Sequence, residues 1–135
     1  MSMVTGADGI SRSTSSGDNW VIVDGVPYKM FPAHTTIASA QTDQAWIAGE
    51  ADYKMRVVQM DAQAAATATD ITVNNVDSGA DTALQLTALG VRTEWDLPLN
   101  AAGYFESIAA GDGLSLTSGT GSTISVFAFY IKVAA

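Results

Sequence analysis

The chain carries one histidine, His34, and no cysteine. Thiolate centres and multi-histidine metal sites are therefore out of reach, and a bound metal would have to rest mainly on carboxylates. A lone imidazole between Ala33 and Thr35 reads as a surface or loop residue rather than a ligand or a base. A Ser-His-Asp arrangement would have to recruit His34, and no Gly-x-Ser-x-Gly elbow is present. The glycine-rich "TSGTGS" at 117–122 has no lysine and opens no helix, so it reads as a strand–turn–strand hairpin rather than a phosphate cradle. Two acidic pairs remain. Asp77 and Asp81 share a turn, and Glu94 and Asp96 share one strand face. A glycosidase needs two carboxylates facing each other across a cleft, whereas these spacings fit solvated charges on the wet side of strands. The "DSGAD" turn around Asp77 and Asp81 offers hard oxygen ligands that suit calcium, without the dense acidic pattern of an EF-hand loop. A lectin-like site would need exposed aromatic rings. Trp95 falls on the apolar face of its strand and is expected in the core; Trp20 and Trp46 are not assigned by pattern. No catalytic residue, metal ligand or cofactor follows from this inventory, and the chain is expected not to be an enzyme.

The elements that would position these residues are short strands. The chain has 135 residues, 47% of them apolar, which is enough for one domain with its own core. Residues 1–18, with "SRSTSSGD", have no apolar periodicity and read as a flexible N-terminal arm; 19–135 read as the folded domain. "WVIVDGVPYKMF" places two β-prone runs around Asp24-Gly25, a hairpin signal. "TTIAS" and "QAWIAG" follow as short strands. In "YKMRVVQM", Tyr53, Met55 and Val57 alternate with Lys54 and Arg56. The alanines of "DAQAAATATD" predict a loop or a short helix. "DITVNNV", "TALQLTALG", "VRTEWDLPL", "GYFES" and "LSLT" predict further strands. In "TISVFAFYIKV", Ile124, Val126, Ala128 and Tyr130 face one way and Phe127, Phe129 and Ile131 the other, so both faces are apolar and the strand is central or lies in a subunit contact. Many short strands separated by turns at 8–12-residue intervals define an all-β sandwich or barrel.

The formal charge of −8 repels phosphate backbones and anionic bilayers, so neither nucleic acid nor membrane is an expected partner. The polar N-terminal stretch lacks the pattern of a secretory signal, and no apolar run approaches membrane-spanning length. These features suit a protein made and used without export.

The second half of the chain, from "YKMRVVQM" through "WDLPL" and "GYFES" to "AAGDGLSLTSGTGSTISVFAFYIKV", resembles the small jelly-roll decoration (cement) proteins of tailed-phage heads. The matching residues are Gly103, Tyr104, Phe105, Glu106, Gly111, Gly113, Leu114, Leu116 and Tyr130, and the resemblance covers about Tyr53 to Val133. It implies a jelly-roll-like antiparallel β-sandwich that binds capsomer junctions of the mature shell as a homo-oligomer, such as a trimer. The major capsid protein would be its partner, the outer capsid surface its location and the host cytoplasm its place of synthesis. Mass action and multivalency would then stabilise the shell. On this reading Ser11, Arg12, Ser13, Lys54, Arg56 and Arg92 are candidate capsid contacts. Trp20, Ile22, Phe127, Phe129 and Ile131 are candidate subunit contacts. The competing readings are a carbohydrate- or receptor-binding module of a phage tail fibre and, more distantly, a small glycan-active enzyme.

Overall fold

A computed structural model describes residues 3–5, 11–13, 20–77, 80–89 and 105–134. Every regular element among them is a β-strand. In chain order these are β1 Met3–Thr5, β2 Ser11–Ser13, β3 Trp20–Val23, β4 Val26–Lys29, β5 Phe31–Pro32, β6 Thr35–Ile37, β7 Gln44–Ile47, β8 Tyr53–Ala64, β9 Thr69–Asp77, β10 Ala80–Leu89, β11 Gly113–Ser118 and β12 Ile124–Ala134.

Two antiparallel sheets face each other across one core. In the first, β12 pairs along its length with β8 on one side and with β5 and β6 on the other. The second runs β10-β9-β11-β7. Inward positions interleave between them: Met55, Met60, Ala62 and Ala64 from β8, Ile71 and Val73 from β9, Leu114 and Leu116 from β11, and Ile124, Val126 and Ala128 from β12. The chain is thus an antiparallel β-sandwich, as its alternating pattern predicts.

The ladders are nested. β9 pairs with β10, β7 with β11, and β6 with β12. Between the first and second of these, Arg56 on β8 bridges to Glu106. Around that bridge the Val57 N–H donates to Phe105 O at 2.9 Å and the Ser107 N–H to Met55 O at 2.9 Å. The segment Phe105–Ser107 therefore covers an edge of β8 that would otherwise expose unpaired main chain. At the other end of the sandwich, side chains of β7 stitch the two sheets together. Gln44 Nε2 donates to Thr36 O at 3.2 Å and Trp46 Nε1 to Ala33 O at 2.7 Å.

The alanine-rich stretch differs from expectation. Asp61–Ala64 continues β8 instead of forming a loop or helix, and only 65–68 leave the strand. Ala62 and Ala64 are fully buried opposite Val126 and Ile124, so small side chains are what the inter-sheet space accepts, and tertiary packing overrides alanine's helical preference. A register shift at Val58 explains how Val57 and Met60, three residues apart, both face the main core while Val58 faces outward.

A third sheet, the meander β1-β2-β3-β4, lies beside this body. Its β3–β4 hairpin turns through Asp24 (φ 51°) and Gly25 (φ 79°), the paired positive φ of the two-residue turn that the sequence signals. Val21, Val23 and Tyr28 pack with Met30 onto Val58, Phe129, Ile131 and Val133, forming a second, smaller core on the outer face of the first sheet. Strands β1 and β2 extend the meander into the segment read as an arm, with Met3 opposite Ser13 and Ser11 opposite Ile22. The predicted strand 91–97, Trp95 in the core, the pair Glu94 and Asp96, Arg92, Gly103 and Tyr104 lie outside the described residues.

Candidate functional site

Among the described residues, the outer face of β12 carries the most exposed large apolar side chain. Phe127 is 59% exposed, Phe129 is half-buried, and Ile131 is fully buried beneath the β3–β4 hairpin. The chain's own meander thus covers one half of this face and leaves the Phe127 half open. Around Phe127 the neighbours are polar: half-buried Asp61 directly opposite on β8, exposed Gln59 and Gln63 on the same strand, and Thr36 on β6. An apolar anchor inside a polar rim is the layout of a protein–protein contact.

His34 belongs to this face. β5 and β6 both pair with β12, but the ladder breaks between them at Ala33-His34. The main chain is still satisfied there. Ala33 N–H donates to Ala128 O at 2.8 Å, and Ala128 N–H donates to His34 Nδ1 at 3.1 Å. The imidazole stands in for the missing strand acceptor, which requires an unprotonated Nδ1. Its ring packs against Phe127 (centroids 5.2 Å apart) and edge-on to Phe129 (5.1 Å). The sequence reading of His34 as a surface residue holds for its exposure. Its part in a broken ladder carries no sequence signal, because the break depends on residues 94 positions apart.

Of the candidate capsid contacts, two meet one carboxylate. Lys54 and Arg56 converge on Glu106: Arg56 Nε donates to Glu106 Oε2, and Lys54 Nζ lies 3.9 Å from Oε1. Both cations are thereby engaged within the chain, holding Phe105–Ser107 against β8. For Ser11, Arg12 and Ser13 the backbone is placed in β2, next to β3. Trp20 and Ile22 are half-buried and alternate with the core-facing Val21 and Val23. At the sandwich end, Lys132 forms an ion pair with Glu50 and sits over the Phe31 ring, 4.7 Å from its centroid. The hydrogen bond to Glu50 holds the Lys132 ammonium above the usual lysine range.

Two polar networks sit on β9. Asn74 Nδ2 donates to Ser115 Oγ (3.2 Å) and Thr117 Oγ1 (3.0 Å), and Ser115 Oγ donates to Asp81 Oδ2 at 2.6 Å. Asn75 Nδ2 donates to Asp112 Oδ2 (3.1 Å) and its Oδ1 accepts the Ile108 N–H (2.7 Å), pinning the 105–112 loop to the sheet. The first links the strands β9, β10 and β11, and the second fixes a loop. Among the described residues no group of three or more His, Asp or Glu side chains could hold a metal ion. Asp81, one of the proposed calcium ligands, spends a carboxylate oxygen on Ser115. An open groove of about 520 Å³ runs along the end of β7, with Trp46 and Val76 beside it, Gly113 and Leu114 lining its length and Asp77 among its lining residues.

No family model matches the chain, and no curated protein is significantly similar to it.

Proposed function

We propose that this chain is a virion structural protein that decorates the mature head of a tailed phage, binding capsomer junctions as a homo-oligomer. One observation carries the reading. Among the described residues, those that resemble the decoration family are packing and turn residues of the sandwich's second half. Phe105, Leu114 and Leu116 are core. Glu106 receives Lys54 and Arg56. Gly111 has φ +90°, and Gly113 lies where a Cβ would sit 2.6 Å from Ile47 O. The shared pattern is therefore a pattern of folding.

The nested pairing supports the finer reading of the sandwich as a jelly roll, in which a long antiparallel ribbon is wound so that the first strand neighbours the last and the central strands form a hairpin. Here the pairs stand in that order: β6 with β12, then β7 with β11, then β8 with the segment Phe105–Ser107, and finally β9 with β10.

For the homo-oligomer, the open half of the β12 face fits a second copy. A chain of net charge −8 repels its own copies over most of its surface. The Phe127 patch, rimmed by the amides of Gln59 and Gln63, the Thr36 hydroxyl and the Asp61 carboxylate, is where apolar burial can outweigh that repulsion. Stabilisation of the shell tests the function directly: mature heads lacking the protein are heated or depleted of salt with and without it, and DNA release is followed. Retention of DNA only when the protein is present supports the reading, and identical rupture curves overturn it.

A further inference from the structure

We infer that His34 is a pH-operated clasp on the Phe127 face, closing it for self-association when neutral and opening it when protonated; this rests on the reading of that face as the subunit contact. The geometry permits little else. An imidazolium has two N–H donors and no acceptor. With Ala128 N–H aimed at Nδ1 from 3.1 Å, a proton on Nδ1 would face the amide proton head-on. The ring must then turn away, and Ala128, a fully buried residue, loses the acceptor for its N–H. Because the same ring packs on both Phe127 and Phe129, its departure reshapes the patch. A charged imidazolium left at an apolar contact also carries a desolvation penalty.

Among the described residues, the strands on His34's own side of β12 offer no partner for the new charge. β5, β6 and β7 contribute no Asp, Glu, Lys or Arg, and the outward positions of β12 are Ser125, Phe127, Phe129, Ile131 and Val133. The charged group closest in register is Asp61 on β8, opposite Phe127 and separated from His34 by the whole of β12.

The test uses the full chain. Amide exchange and the chemical shift of Ala128 are measured by NMR from pH 7.5 to 5.0, with sedimentation velocity on the same samples. Two variants accompany it. His34→Asn keeps an acceptor oxygen near the Nδ1 position but does not titrate; His34→Ala has no acceptor at any pH. The expected result is exchange at Ala128 rising about tenfold or more beyond the intrinsic pH dependence, as loss of one buried hydrogen bond implies, with dissociation in parallel. His34→Asn stays protected and associated throughout, and His34→Ala at pH 7.5 behaves like the wild type at pH 5.0. An Ala128 amide indifferent to pH, or a His34→Asn variant that responds as the wild type does, overturns the clasp. An Ala128 response with unchanged association upholds the clasp and overturns the placement of the subunit contact at Phe127.

Discussion

Replacing Ser107 by alanine tests whether the segment Phe105–Ser107 is an integral part of the sandwich. Ser107 is 1% exposed, and its Oγ accepts the Met55 N–H at 2.8 Å. Met55 is itself buried, so the variant leaves a buried amide without a partner. Such an orphan costs about 1–3 kcal/mol. Taking ~2 kcal/mol and a urea dependence of ~2 kcal/mol/M for a domain of this size, the unfolding midpoint should fall by about 1 M. The neighbouring Glu106→Gln supplies the contrast. It removes the charge pairing with Lys54 and Arg56, whose side chains are each about one-third exposed. Solvent-screened pairs of this kind contribute under ~1 kcal/mol, so the midpoint should move by less than ~0.5 M. Equilibrium urea unfolding followed by fluorescence gives both shifts, and hydrogen exchange at Met55 and Val57 locates them. A Glu106→Gln shift equal to or larger than that of Ser107→Ala, or unprotected Met55 and Val57 amides in the wild type, would refute the reasoning.

Other substitutions probe separate joints of the fold. A Cβ at Gly49 would lie 2.0 Å from Gly111 O, and backbone cannot swing aside; Gly49→Ala should cost roughly 3 kcal/mol or more by thermal melting. Gly111→Ala, with open space but φ +90°, should cost only about 1–2 kcal/mol. Equal losses in the two variants would contradict the close approach. Ala62→Leu should destabilise by about 1–3 kcal/mol through overpacking against Val126, and a stabilised variant would show that the alanine run is not in the inter-sheet space. Lys132 is raised above 10.5 chiefly by its bond to Glu50. Its contribution is therefore complete below the unfolded lysine value and is lost as pH climbs through the higher folded value. Glu50→Gln should flatten the alkaline end of the stability profile above pH 10.5, and an unchanged profile would remove the pair from the account.

The all-β class was legible because inward and outward residues alternate with period two in β8 and β12, and because Asp24-Gly25 suits only a tight hairpin. Other features depend on partners remote in sequence. Asp61–Ala64 is a strand because β12 lies beside it, which no local propensity encodes. Lys54 and Arg56 look free for a partner until Glu106, 50 residues beyond Arg56, arrives next to them. Ile131 sits on the outward face of β12 as its alternation implies, but the meander that buries it starts from the far end of the chain. Residues 3–5 and 11–13 lack an apolar rhythm of their own, and their pairing follows the register set by β3. Phe127 and Phe129 were legible as an outward apolar pair; the role of His34 between them was not, since it arises from a gap between β5 and β6.

The most direct test of the proposed role is co-sedimentation of the purified chain with mature heads lacking it, alongside empty procapsids. Saturable binding to mature heads alone, at a copy number matching one class of symmetry position, is the predicted result. Absence of binding to both shells would contradict the decoration role and leave the sandwich to be tested as a glycan- or receptor-binding module.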